Sequence, residues 1–300
     1  GAPPVKTLVW RTIPETATQI AELLAGGVDF IESVPPDQID LINKSGAARI
    51  VEVPILRVAF IWLDGMGRSG PNPFQDKRVR QAINYAANIE GYIKYIMKGR
   101  AVRIATIVNP FAFGYDPTIK PYPYDPEKAK KLLAEAGYPN GFEARHVNSH
   151  QRMPNQRQFI EALQTDLAKV GIRMNIQEYT DEGPLATVIR EGKAGPMYQM
   201  SWGYYSIFDS DAIFYDQLTH HSKWSYWWSD ETTKMIEQAR NSLDPEFRKR
   251  IYSKLQHVIK EEAPFLYMWQ YVMLYGISNK LDMKIPSDEF PRFFDVKIKK

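Results

Sequence analysis

The sequence predicts an α/β protein built as two lobes, and three observations predict it. Apolar residues recur at helical spacing in some segments and alternate in others, and the two kinds of segment take turns along the chain. The change of period is sharpest at Gly171, where the helix pattern Phe159, Leu163, Leu167, Val170 gives way to Ile172, Met174, Ile176 alternating with Arg173 and Asn175. The chain has 300 residues, enough for two compact lobes or one large α/β unit.

In chain order, Leu8 to Ile13 is apolar and partly β-branched and reads as a strand. Pro14 starts a helix with Ile20, Leu23 and Leu24 on one face, and Gly26-Gly27 ends it. Val28 to Ile31 is a short strand, and Pro35-Pro36-Asp37 opens a helix. Ala48 to Ile55 returns as a strand, and Arg57 to Leu63 is the nearly continuous apolar run of a strand buried on both faces. Gly65 to Pro73 is a Gly-, Pro- and Ser-rich loop and marks a lobe boundary. Asp76 caps a helix carrying Val79, Ala82, Ile83 and Ala86, and a second helix follows through Tyr92, Ile96 and Met97. Residues 107 to 124 form a Pro- and Tyr-rich connection.

Asp125-Pro126-Glu127 is a helix start, with a capping carboxylate and proline at the first helical position. Ala129, Leu132, Leu133 and Ala136 form its apolar face, and Gly137 stops it. Met197 to Ser201 is strand-like, and a helix runs through Ile213 and Leu218. Asp244-Pro245-Glu246 caps another helix with Phe247, Ile251 and Leu255 inward. Ala263-Pro264 breaks it, and Phe265 to Ile277 is an aromatic-rich strand region. No internal repeat or low-complexity tract is present.

Composition narrows the function. The net charge of +3 is small for this length, and basic and acidic residues are interleaved, so no stripe suited to a nucleic acid stands out. With no cysteine, disulfides, thiolate metal sites and thiol catalysis are excluded. No apolar run reaches the roughly 18–20 residues that span a bilayer.

The catalytic motifs fail one by one. There is no Gly-x-Ser-x-Gly elbow and no phosphate-binding Gly-x-x-x-x-Gly-Lys-Ser/Thr loop, and Gly65-Met66-Gly67 lacks the third glycine of a dinucleotide fingerprint. His146 and His150 stand four apart but lack the glutamate of a zinc-protease helix, and Asn148-Ser149 suggests a loop there. Satisfied or surface histidines are the better reading, so no metal and no cofactor is expected. Carboxylate pairs such as Asp209 with Asp211 have no nucleophile or orienting group beside them in the sequence. Either serves first as the N-cap of the helix through Ile213, and second as a ligand contact.

The aromatic clusters carry more information. Trp202, Tyr204, Tyr205 and Phe208 follow a strand-like run, and Trp224-Ser225-Tyr226-Trp227-Trp228 places four aromatics in five residues. They fill a core or they wall a pocket. The polar tips of Tyr and Trp favour the wet boundary of a cleft.

Several segments together resemble one family, the peptide/nickel-type (family 5) extracellular solute-binding proteins of ABC importers. Pro73-Phe74-Gln75-Asp76-Lys77-Arg78-Val79-Arg80-Gln81-Ala82 is similar to the family's Pro-Phe-x-Asp-x-Arg-Val-Arg-x-Ala block. Tyr124-Asp125-Pro126-Glu127 through Ala136-Gly137-Tyr138-Pro139-Asn140-Gly141-Phe142 follows another of its patterns. Ala25-Gly26-Gly27-Val28-Asp29 resembles its Gly-Glu-x-Asp turn, and Leu243-Asp244-Pro245-Glu246-Phe247-Arg248 its Asp-Pro-x-x-Arg helix. The order and spacing of these blocks match over essentially the whole chain.

The resemblance implies periplasmic-binding-protein-like type II lobes, one complete and one incomplete. Residues 1–72 would be part of lobe I, 73–270 the complete lobe II, and 271–300 a return segment to lobe I. Full-length members carry a signal peptide, more of the first lobe and an extra domain ahead of the point where this chain starts, so a fragment holding part of its own site is expected. It further implies a periplasmic, non-enzymatic, monomeric role: capture of a peptide-like small molecule between lobes, and delivery to an ABC permease, with no nucleic-acid partner. The expected ligand-binding residues are Trp202, Tyr204, Tyr205, Asp209, Asp211, Trp224 and Tyr226. Many peptide binders of the family pair the ligand's α-amino group with an aspartate three residues past the tryptophan of a Gly-Trp-Gly-like strand end. Here that strand end is Ser201-Trp202-Gly203, and Tyr205 takes the aspartate's place. A small-molecule hydrolase or transferase using Asp209/Asp211 or His146/His150, and a ligand-sensing receptor, are the rival readings.

Overall fold

The computed structural model describes residues 4–149, 155–203 and 207–299. Helix α1 (Thr16–Ala25) ends at Gly26, whose φ of 78° closes it with N–H bonds back to the last turn. Strand β1 (Phe30–Ile31), helix α2 (Ile39–Lys44) and the long strand β2 (Ala48–Leu63) follow. Helix α3 (Lys77–Ala86) starts at Asp76, whose side chain accepts the Arg78 N–H. The short α4 (Ile89–Gly91) runs into a π-helical turn at Tyr92–Ile96, which leads to strand β3 (Ala101–Arg103). Then come α5 (Pro126–Glu135), β4 (Phe142–Ser149), α6 (Gln156–Ala168), β5 (Ile172–Tyr179), α7 (Glu182–Arg190) and β6 (Met197–Trp202). The last part holds α8 (Asp211–Leu218), α9 (Asp230–Arg240), α10 (Pro245–Glu262) and β7 (Phe265–Ser278). A small ribbon of β8 (Leu281–Asp282) and β9 (Lys297–Ile298) closes the chain.

One mixed sheet runs in the order β1, β7, β2, β6, β4, β5. Strands β2 and β7 pair antiparallel along almost their whole length, while β4 runs parallel to both β5 and β6. Strands β1 and β3 both pair with β7, at Ile277 and Gly276 and at Tyr271 to Trp269, and so lie end to end along its other edge. Side chains of β2 alternate between two cores, as the pleat requires. Ile55, Ala59, Ile61 and Leu63 join one cluster with α3, α5 and α6. Leu56, Val58, Phe60 and Trp62 join another with α8, α9 and α10. A third, smaller cluster packs α1, α2 and β1 on the far ends of β2 and β7.

The family-like block at 73–86 owes its residues to packing. Arg80 is buried, and its guanidinium donates to the Phe74, Gln75 and Glu262 carbonyls and to the Glu262 carboxylate at 3.0 Å. Asn84 donates to the Phe265 carbonyl and accepts from the Tyr267 N–H, which fixes α3 against β7. Gly141 sits at φ 73° with its α-carbon against the Gly171 carbonyl. A Cβ there would stand 1.9 Å from that oxygen, so the Tyr-Pro-Asn-Gly turn admits only glycine.

Several expectations are corrected. Leu8 to Ile13 forms no strand, and Leu8, Val9 and Trp10 are exposed. Among the described residues this segment pairs with no strand, and an extended run without a ladder partner leaves its backbone to water. The two strand stretches Ala48–Ile55 and Arg57–Leu63 are one strand, β2, with an irregular register between Pro54 and Val58. The loop expected at Asn148-Ser149 is the end of β4, paired with β5 at Glu178 and Tyr179. Strand β3 and helices α7 and α9 went unread, since α9 opens with polar residues and β3 is three residues long.

Candidate functional site

The register shift in β2 creates the site. Proline at position 54 has no N–H for the ladder, so the strand leaves its partner at this point. The Ile55 carbonyl instead accepts from the Asn109 and Gln270 side-chain amides at 3.1 and 3.0 Å. The Leu56 N–H donates to the Ser287 carbonyl at 2.8 Å, which draws the segment after β8 onto the strand. The next residue, Arg57, is the single charge in an otherwise apolar run, and it points into the gap so formed.

Arg57 donates through Nε to Glu289 Oε2 at 2.7 Å and through Nη1 to Ser201 Oγ at 3.2 Å. Both charged side chains are nearly closed off from water, at 10% and 15% exposure, so this pair is far stronger than a surface ion pair. Glu289 is held at φ 67°, a costly backbone state for a residue with a side chain. A Cβ on Gly203 would lie 2.5 Å from Arg57 Nη2 and 2.9 Å from Glu289 Oε1, so glycine is what lets the end of β6 approach the pair. Partial burial, reinforced by the Glu289 charge, pushes the Glu32 carboxyl above the usual carboxylate range. Three separate stretches of chain thus meet here: the irregular part of β2, the end of β6, and residues 287–289.

Trp202 ends β6 opposite Val58 and is half-buried, and its indole N–H is enclosed without an acceptor among the described residues. Beside it, residues 207–210 are laced to residues 112–113. Phe113 N–H donates to the Phe208 carbonyl, and Ser210 donates to the Phe113 carbonyl through both N–H and Oγ. Phe111, Ile207 and Phe208 are exposed large apolar side chains on these two segments.

The other expected residues separate. Tyr204 and Tyr205 lie outside the described residues. Asp209 receives both Arg248 Nη atoms at 2.8 Å and the Asp211 N–H at 2.9 Å, with Tyr252 Oη also donating to it. Its charge is thus spent inside the protein, where it caps α8 and ties it to α10. Asp211 faces Arg240 at 3.5 Å, and burial raises its carboxyl above the ordinary range against the pull of that arginine. For Tyr226 the core alternative fits: it is fully buried, packs on Trp62 and Tyr198, and donates to the Ile189 carbonyl. Trp224 is half-buried under the Arg190 guanidinium, and its carbonyl accepts from Tyr198 Oη. Both contact Tyr198 on β6 and helix α7, and Tyr226 also contacts Trp62. The histidine reading also changes. The structure places His146 neither at the surface nor in a hydrogen bond: it is fully buried in β4, and among the described residues neither ring nitrogen has a partner. His150 lies outside the described residues. Sequence reasoning passed over Arg57, Glu289, Ser201 and Gly203, although the lone arginine inside a β-buried apolar run was a visible signal.

The profile described as "Bacterial extracellular solute-binding proteins, family 5 Middle" matches residues 1–226. The chain belongs to family 5 of the bacterial extracellular solute-binding proteins. It is 28% identical over 275 residues to the glutathione-binding protein GsiB of Shigella flexneri, covering 89% of this chain and 52% of that protein. The chain therefore spans about half the length of the curated relatives it matches. Among solved structures, DppA of Helicobacter pylori, a periplasmic binding protein in complex with the peptide STSA, aligns with a TM-score of 0.84 at 27% identity, over 97% of this chain and 56% of that one. The dipeptide-binding protein of Pseudoalteromonas sp. SM9913, in complex with Met-Leu, shares the fold with a TM-score of 0.84 at 23% identity, over 96% and 57%. The α/β fold of type II periplasmic binding proteins, expected from the sequence, is what these family 5 neighbours share.

Proposed function

We propose that this chain is part of a solute-binding component of an ABC importer, acting outside the cytoplasm, that holds a small peptide or peptide-like molecule at the end of β6 and passes it to a membrane permease. It does so by binding, with no covalent step. The observation that carries this reading is the convergence of β2, β6 and residues 287–289 on the Arg57–Glu289 pair in a family 5 chain. Ligand sites form where separate chain segments meet around a few enclosed polar groups. The enclosed indole N–H of Trp202, which has no acceptor among the described residues, and the exposed Phe111, Ile207 and Phe208 support contact with a ligand having both polar and apolar parts.

Tyr204 and Tyr205 adjoin this strand end in sequence and remain in the proposed contact set. Trp224, beside Tyr198 and Arg190, and Asp211, facing Arg240, stay in the set as more distant candidates, and Tyr226 and Asp209 brace the structure. A hinge at the register shift of β2 (Pro54 to Val58), rather than in the Gly65–Pro73 loop, would let residues 1–54 with 271–300 move against the remainder. The names of the relatives, glutathione-binding and dipeptide-binding, support a short peptide ligand and weigh against an enzyme. The alternative of a receptor on the same fold predicts ligand binding with no permease contact.

Calorimetric titration of the protein with glutathione, with Met-Leu and with a panel of di- and tripeptides tests the reading. In the full-length protein, micromolar binding of at least one is expected, weakened tenfold or more in Trp202→Ala with the fold retained, whereas this chain alone, holding part of the site, should bind weakly or not at all. Unchanged affinity in that variant removes Trp202 from the site, and no binding by the full-length protein across the panel removes the peptide reading.

A further inference from the structure

Away from the β6 strand end, the π-helical turn at Tyr92–Ile96 and the left-handed pair Lys98 and Gly99 (φ 52° and 78°) swing the chain into β3. They leave a cavity of about 480 Å³ lined by Glu90, Ile93, Lys94, Lys98, Gly99, Ala101 and Arg103. Its charges do not balance: three cations face one carboxylate. Glu90 acts on Arg103 from a distance, and among the described residues no ion pair joins an acidic group to Arg103, Lys94 or Lys98. Arg103 is held at the sheet edge by three backbone carbonyls, those of Ile104, Tyr267 and Met268, at 3.3 Å for the first and 2.8 Å for the last. All three bonds fall on Nη1, so Nε and Nη2 are left for another partner.

A second uncompensated cation lies close behind. Lys260 on α10 has an enclosed Nζ with no hydrogen-bond partner among the described residues, set 3.2 Å above the Tyr122 ring and 5.7 Å from that of Tyr267, whose carbonyl Arg103 also grips. Burial, and then the Arg103 charge, push Lys260 down to about 7, and burial brings Arg103 down to about 10. A half-buried Arg103 and an enclosed Lys260 Nζ, with Glu90 as the carboxylate that lines the cavity, leave an excess of positive charge here.

We propose that this cavity is an anion site, taking the carboxylate or phosphate group of a small acidic molecule against Arg103, with Lys94 and Lys98 at its mouth. The volume exceeds that of a single oxyanion, and Ile93 and Ala101 give the rest of such a molecule an apolar wall. Arginine offers a planar fork to either group, and the lysines adapt to it as point charges.

The probes are citrate and inorganic phosphate, added at constant ionic strength against sodium chloride, with thermal melting and calorimetry as readouts. One or both should raise the melting temperature beyond the chloride control, and which one does so separates a carboxylate from a phosphate ligand. The double variant Lys94→Glu, Lys98→Glu changes exposed residues only, so it should fold as before and weaken the anion at least tenfold. NMR of the Lys260 side chain should show its pKa rising when the anion is bound. No anion-specific stabilisation of the wild-type protein, or an equal one in the double variant, overturns the proposal. Peptide binding at Trp202 plays no part in this test.

Discussion

Replacing His146 by leucine should abolish a distinct acid sensitivity of this fold. His146 is fully enclosed in β4, neither ring nitrogen has a partner among the described residues, and burial pushes its pKa down to about 3. In the unfolded chain the same imidazole titrates at about 6.5. The folded value is the lower one, so the unfolded state binds the extra proton and stability rises with pH. The stability is fully present above about pH 6.5 and is lost as the pH falls toward 3. Between pH 7.5 and pH 5.0 this one group removes about 2 kcal/mol, following a slope near 1.4 kcal/mol per pH unit once below its unfolded pKa. Leucine is similar in size and has no polar atom to strand, so at pH 7.5 the variant should be unchanged or more stable by roughly 1 kcal/mol. The assay is urea unfolding of both proteins at the two pH values. Carboxylates titrate in both proteins and cancel in the difference, which should widen in favour of the variant by about 2 kcal/mol at pH 5.0. A difference that stays constant across the two pH values would refute the reasoning, because it would mean that His146 is already protonated or already solvated in the folded state.

Two further outcomes follow from the geometry. Asp209→Asn should destabilise the protein by about 1–3 kcal/mol in chemical unfolding, because the half-buried Arg248 guanidinium loses its charged partner while α8 keeps a capping group. Gly141→Ala should cost more than about 2 kcal/mol, since a methyl group would meet the Gly171 backbone at 1.9 Å in a left-handed turn. A melting temperature within a degree or two of wild type would show that the turn relaxes. The Trp202 and Lys94/Lys98 variants described above complete the set.

Much of the chain was legible because local chemistry dictated it. Asp76, Asp125 and Asp244 each cap the helix that the sequence places after them, and Gly137 and Gly171 each take the left-handed conformation at the stops read for them. The failures have physical causes of the same kind. Leu8 to Ile13 has strand-like residues, but a strand exists only with a partner, and pairing is not written in a single segment. Aromatic runs announce large side chains without saying which way they face. Tyr226 faces the core, and Trp202 stands at a strand end, although both come from similar stretches.

The sequence by itself determined the family, the α/β class, and most helix boundaries of this protein, because caps, glycine stops and hydrophobic periods act within a few residues. The tertiary structure alone decided where charge would be concentrated. Arg57 meets Glu289 across 232 positions of sequence, and Arg103 meets the carbonyls of β7 across more than 160. Such meetings depend on strand register, on one missing N–H at Pro54, and on how closely Gly203 can approach a guanidinium. These are properties of the packed chain, and no short stretch of residues specifies them.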